Sequence, residues 1–202
     1  GARLKGAILR EADLRGGALL DRRSSGTSVL KSDLTGANFD DALLARANLS
    51  FAVALVTALE ASDAYTAGHS RAVATYSRDI ASRMGLTLEE IDRAFLCGLV
   101  HDIGKVGLPP SLLGKDGPLT LEERRRMQEH SAIGERILRE VAAYDDIATI
   151  VRHHHERIDG HGYPDGIIAA NIPMVSKIIA VADAYNAMTS DRPYRAAMPA
   201  ER

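Results

Sequence analysis

The most constraining feature of the chain is a period of five in its first fifty residues. Cut from Ala2, the sequence reads ARLKG, AILRE, ADLRG, GALLD, RRSSG, TSVLK, SDLTG, ANFDD, ALLAR, ANLSF. The third position is Leu4, Leu9, Leu14, Leu19, Ser24, Val29, Leu34, Phe39, Leu44 and Leu49, large and apolar at nine of ten. The first position is small at nine of ten, with Arg22 the departure. Neither a helix, with its period of 3.6, nor a strand, with its period of 2, repeats every five residues. A coil with four flat sides does: each five makes one side and one corner, and its third and first side chains face inward. The competing reading is an alanine-rich amphipathic helix, but a strict period of five would wind its apolar stripe around the axis. The five Arg22–Gly26 breaks the pattern and reads as a loop.

Ala12-Asp13-Leu14, Ala37-Asn38-Phe39 and Ala47-Asn48-Leu49 resemble the pentapeptide-repeat family. The resemblance implies a short right-handed quadrilateral β-helix over residues 1–50, about two and a half coils stacked at ~4.8 Å. Such a solenoid buries its core only by stacking. The segment carries 8 basic and 6 acidic residues, which argues against mimicry of DNA by acidity. It holds no catalytic constellation and reads as a scaffold or partner-binding module.

From Phe51 the apolar spacing becomes helical, with no Gly/Pro/Ser linker between, so we place a domain boundary there and read 51–202 as an all-α domain. The spacing predicts helices over 51–63, over 69–84 ended by Gly85, from Thr87 to about Val100, from Thr120 to about Arg139, over 145–153 and over 172–188. Thr87-Leu88-Glu89-Glu90 and Thr120-Leu121-Glu122-Glu123 are capping boxes. Residues 107–110, 114–118 and 159–170 read as loops.

Composition removes several function classes. The net charge of −2 gives no broadly basic surface for nucleic acid. No apolar run approaches the ~18–20 residues of a membrane span, and no secretory signal is visible, so a cytoplasmic location is expected. The single cysteine, Cys97, excludes an intrachain disulfide and a multi-cysteine metal site. What remains is histidine: seven in the chain, all between His69 and His161. His101-Asp102 is followed by Ile103-Gly104-Lys105. His130 lies inside a predicted helix, His153-His154-His155-Glu156 ends another, and Asp183 lies within the last. Imidazole and carboxylate suit iron, manganese or zinc. A carboxylate can bridge two cations, and two cations ~3.5–4 Å apart can activate water against a phosphodiester. Taken one by one these residues are ordinary; as a set they have the composition of a hydrolase site.

His101-Asp102, with His69 upstream and Asp183 downstream, resembles the HD superfamily of metal-dependent phosphohydrolases. His154-His155-Glu156-Arg157-Ile158-Asp159-Gly160-His161-Gly162-Tyr163-Pro164 is similar to the signature H-H-E-x-x-D-G-x-G-Y-P of its HD-GYP subfamily, bacterial cyclic di-GMP phosphodiesterases. Residues 63–70, 101–105 and 181–195 match further motifs in order, so the resemblance covers 51–202. It implies that His69, His101, Asp102 and Asp183 hold a first divalent metal and that His130, His154 and His155 hold a second. Asp102 would bridge the two, and the ions are expected to be iron or manganese. It also implies that Lys105 meets the scissile phosphate, that Arg192 and Arg195 lie near the nucleotide, and that Gly162, Tyr163 and Pro164 bind substrate and meet diguanylate cyclase domains. Many members dimerise, which makes a homodimer an expectation. Glu156 and Asp159 are candidates for acceptors behind the ligand histidines; His153 and His161 fall outside the ligand positions.

Three departures stand out. Tyr65 occupies the position where members with a third metal carry glutamate, which predicts a binuclear site and mainly linear pGpG as product. Ala169 stands where many members have glycine. Members continue for one or two helices beyond the position of Arg202, which suggests a fragment. A catalytically weak cyclic-dinucleotide receptor or scaffold, and a phosphodiesterase for another cyclic dinucleotide, stay open; every ligand position is filled, which favours the enzyme.

Overall fold

The computed structural model describes residues 18–19, 30–31, 52–54, 56–57, 59, 68–141, 144–190 and 197–198. The chain separates into two units, Gly1–Ser50 and Phe51–Arg202. In the first, β1 (Ala18–Leu19) pairs antiparallel with β2 (Leu30–Lys31), in the register Ala18 to Lys31 and Leu19 to Leu30. In sequence the pair brackets residues 20–29, which include the pattern-breaking five Arg22–Gly26. The rest of the expected β-helix lies outside the described residues.

The second unit is helical. Ala52, Val56 and Leu59 are buried at helical spacing. Then follow α1 (His69–Arg83), α2 (Leu88–Val100), a 3₁₀ turn (Ile103–Gly107), α3 (Pro110–Leu113), α4 (Leu121–Gln128), α5 (His130–Arg139), α6 (Asp145–Arg152) and α7 (Met174–Thr189). Helix α1 ends in a Schellman motif: Gly85 (φ 74°) donates to Ser82 O and Leu86 to Ala81 O, satisfying carbonyls that the helix leaves open. Both capping boxes form, Thr87 with Glu90 and Thr120 with Glu123.

The helix starting at Thr120 is broken, not continuous to Arg139. The Met127 carbonyl is taken by the ring of His130 at 2.7 Å, and Glu129 closes the turn with a tighter bond to Arg126 O. Two short helices therefore replace one long one, and His130 opens the second. The 3₁₀ turn and α3 lie between the predicted helices that end near Val100 and start at Thr120, touching the expected loop 107–110 only at its two ends.

Helices α1 and α2 pack closely because Gly98 has no side chain: a Cβ there would stand 2.9 Å from Ala74 Cα. Val73, Ala81, Ala94, Cys97, Val100, Ile103, Val151 and Ile179 form the fully buried centre of the core. Ser176 Oγ donates to Ile150 O at 2.8 Å, tying α7 to α6 inside that core. No helix among the described residues is long and apolar enough to cross a membrane.

Candidate metal centre

Four segment ends and the middle of one helix come together. His69 is the first residue of α1, His101 and Asp102 follow α2, His130 opens α5, His154 and His155 follow α6, and Asp183 lies midway along α7. His101, Asp102, His130 and His154 are buried. The 3₁₀ turn can sit this close to α5 because residue 104 is glycine. A Cβ there would run into the His130 carbonyl and stand 2.5 Å from the Gly134 amide.

The two oxygens of Asp102 face different groups. Oδ2 lies 3.5 Å from His101 Nε2, 3.9 Å from His69 Nε2 and 2.7 Å from Lys105 Nζ. Oδ1 lies 3.4 Å from His130 Nε2. His69 Nε2 is 3.3 Å from Asp183 Oδ1, and His130 Nε2 is 3.3 Å from His154 Nε2. Two donor sets result, His69–His101–Asp183 and His130–His154–His155, and Asp102 turns one oxygen toward each. Lys105 reaches Asp102 because three residues make one turn of a 3₁₀ helix.

The other ring nitrogens explain the orientation. His101 Nδ1 donates to Gly98 O (2.8 Å), His130 Nδ1 to Met127 O and His154 Nδ1 to Val151 O (2.5 Å), each three residues back. His69 Nδ1 donates to Asn186 Oδ1 at 2.7 Å. A ring that donates through Nδ1 presents a lone pair at Nε2, the state a metal ligand needs. His101 Nε2 is buried with no hydrogen-bond partner. An orphaned ring acceptor among carboxylates and further imidazoles fits a divalent cation. Asn186→Ala should free His69 to rotate and weaken cation binding about 10- to 100-fold, read by calorimetric titration with Mn²⁺.

Burial would push the Asp102 carboxyl up, but Lys105 and then the surrounding imidazoles hold it well below the usual range, so it is anionic. Burial lowers the histidines: His69 and His130 fall below their ordinary value, His154 well below it, and His155 to about 4. In the metal-free chain these groups take up protons near pH 6.5 when unfolded, but only at lower pH when folded. The unfolded state then binds more protons between about pH 6.5 and 4, so stability falls as pH falls through that window. Thermal melts in chelator should show a Tm that is level above pH 7 and drops steadily toward pH 4; a Tm that rises on acidification would contradict the assignment.

Among the described residues, Glu156 and Asp159 bond elsewhere than behind the donor histidines, where sequence placed them as candidates. The Glu156 carboxylate is buried and accepts from the amides of Asp165 (2.7 Å), Gly166 (3.0 Å) and Ile167 (3.1 Å). Asp159 pairs with Arg157 at 2.6 Å and accepts from His161 N. The acceptors are backbone carbonyls and Asn186, which sequence reading did not single out. Asn186 had a signal: it lies three residues beyond Asp183, on the same face of α7. His161 is exposed beside Asp159, and His153 bonds Asp165 at 3.0 Å. Tyr163 lies against His155, with ring centroids 4.7 Å apart, and Gly162 packs on the backbone of Glu156 and Arg157 where no Cβ would fit. Arg192, Arg195 and Tyr65 lie outside the described residues.

Residues 54–202 match the HD domain family, and residues 31–53 match pentapeptide repeats. The chain is 40% identical over 146 residues to a 3'3'-cGAMP-specific phosphodiesterase of Vibrio cholerae, covering 71% of this chain and 31% of that protein. It is 41% identical over 140 residues to a cyclic di-GMP phosphodiesterase of Pseudomonas aeruginosa, covering 68% and 33%. A cyclic di-GMP phosphodiesterase of Thermotoga maritima is 41% identical over 141 residues, covering 69% and 38%. The chain thus spans about a third of the length of these relatives. Among solved structures, a HDG"Y"P protein from Bdellovibrio bacteriovorus shares the fold, with a TM-score of 0.50 and 22% identity over 58% of this chain and 39% of that one. With the HD-family match over most of its length, the H-H-E…G-Y-P signature and the paired donor sets around Asp102, the chain belongs to the HD domain family, in its HD-GYP branch.

Proposed function

We propose that this chain is a binuclear metal-dependent phosphodiesterase that opens cyclic di-GMP to linear pGpG. The observation that carries this reading is the division of Asp102 between two donor sets, with the Lys105 ammonium 2.7 Å from its Oδ2. His69, His101 and Asp183 would hold one cation, His130, His154 and His155 the other, and Asp102 both. Iron or manganese suits a set of imidazoles and carboxylates without thiolate. When bound, such cations supply Lewis acidity toward phosphodiester oxygens and lower the pKa of water.

The protein's own part is positioning and charge. The carbonyls of Gly98, Met127 and Val151 and the Asn186 amide hold the imidazoles in one tautomer, so no reorganisation is needed when substrate arrives. Lys105, about one-fifth exposed, presents a cation at the mouth of the site where a non-bridging phosphate oxygen would gain negative charge. Tyr163, held against His155, gives a nucleotide an aromatic edge at the same mouth. The basic pair Arg192 and Arg195 and a diguanylate cyclase partner or homodimer rest on the family resemblance.

A second substrate, 3'3'-cGAMP, is favoured by the name of the 40%-identical Vibrio relative. Anaerobic loading with Fe²⁺ or Mn²⁺, followed by chromatography of products from each dinucleotide, tests both. The expected result is pGpG from cyclic di-GMP with little GMP. Faster turnover of 3'3'-cGAMP would transfer the assignment to that substrate. Tight binding with no product from either would make the chain a receptor.

A further inference from the structure

Outside the ligand set, one polar network encloses the second donor group from behind. Arg152, the last residue of α6, lies two residues before His154. It grips Asp165 with two bonds, Nε to Oδ2 and Nη2 to Oδ1, both 2.7 Å. Its remaining nitrogen, Nη1, donates to Glu135 Oε2 at 2.6 Å, and Glu135 stands on α5, five residues after His130. His153 adds a bond from Nε2 to Asp165 Oδ2. On the other side of the histidine pair, buried Glu156 takes the amides of Asp165, Gly166 and Ile167, in a turn whose Gly166 has φ 65°.

Residues 152, 153 and 156 therefore hold one short turn, 165–167, with His154 and His155 strung between them. Through Glu135 the same guanidinium ties this segment to the helix that begins with His130. A bidentate arginine–carboxylate pair fixes direction as well as distance. The donor set His69–His101–Asp183 has no share in this network; its orientation comes from Asn186 and Gly98.

We propose that Arg152, with Asp165 and Glu135, is a positioning residue for the second metal alone: it sets the spacing of His130 against His154 and His155, and with it the affinity of that one site. The inference rests on the binuclear reading above. The wild-type chain, Asp165→Asn, Arg152→Met and Arg152→Lys should be titrated anaerobically with Mn²⁺, followed by calorimetry and by electron paramagnetic resonance. The wild type should take two ions and show the spectrum of a coupled pair. Asp165→Asn and Arg152→Met should keep one tight ion, weaken the second about 10- to 100-fold and show an isolated-ion spectrum. Arg152→Lys keeps the charge but not the fork, and should fall between the wild type and these two variants.

Two ions of unchanged affinity in both Asp165→Asn and Arg152→Met would overturn the proposal and leave the binuclear reading intact. Equal weakening of both ions, or failure of all three variants to fold, would also overturn it, since the network would then support the domain at large. A wild type that takes one ion would overturn the binuclear reading itself.

Discussion

Asp102→Asn should abolish catalysis and empty both metal sites while leaving the fold in place. Asp102 faces both donor sets, Oδ2 toward His101 and His69 and Oδ1 toward His130. The amide keeps the volume and removes the charge that balances up to two cations and Lys105. It also replaces one acceptor oxygen with a donor aimed at a ligand histidine. Cyclic di-GMP hydrolysis should fall by at least about 10³-fold, equivalent to about 4 kcal/mol of transition-state stabilisation. Metal analysis should find less than one tightly bound ion per chain. Because Lys105 and the imidazoles hold the buried carboxylate anionic, losing its charge also costs metal-free stability. The variant's metal-free Tm should fall below that of the wild type with the helical circular-dichroism signal kept, and hydrolysis that survives the substitution would refute the assigned site.

The second large effect concerns a residue with no side chain. Gly104→Ala should both destabilise the domain and displace His130. Its Cβ would overlap the His130 carbonyl, and the obstacle is helix backbone that cannot rotate away. Overpacking of this kind costs about 1–3 kcal/mol, and at about 2–4 °C per kcal/mol for a chain of this size the Tm should drop by roughly 2–12 °C. If α5 moves to make room, His130 leaves Oδ1 of Asp102 and the second ion weakens as well. Thermal melts and metal titration on the same sample separate the two effects. Gly107→Ala, where the clash is mainly with the Ile133 side chain, should cost less.

These two residues also show what could be read from sequence. Asp102 stood out because ligand chemistry requires particular side chains, and His101-Asp102 followed by Ile103-Gly104-Lys105 keeps them whatever surrounds it. The same holds for His69, His130, His154, His155 and Asp183. The groups that aim them were mostly invisible, because Gly98, Met127 and Val151 contribute only a carbonyl, and a carbonyl has no letter in the sequence. The break at Glu129 was hidden for the same reason: Thr120 and Glu123 announce a helix start, but nothing announces that His130 will take the Met127 carbonyl. Glu156 was legible as important and misread in role. Its place after two ligands suggested a histidine partner, whereas the loop it precedes folds back and supplies three amides. Period five in the first unit points to a solenoid, and of that unit the described residues hold only the antiparallel pair of Ala18–Leu19 with Leu30–Lys31.

The proposed chemistry requires two cations sharing Asp102, and metal content measured together with turnover tests that most directly. Protein purified and loaded anaerobically should contain two ions of iron or manganese per chain and convert cyclic di-GMP to pGpG, with activity rising as the second ion binds. Full turnover with one ion per chain, or undiminished turnover after chelation has removed both, would contradict it.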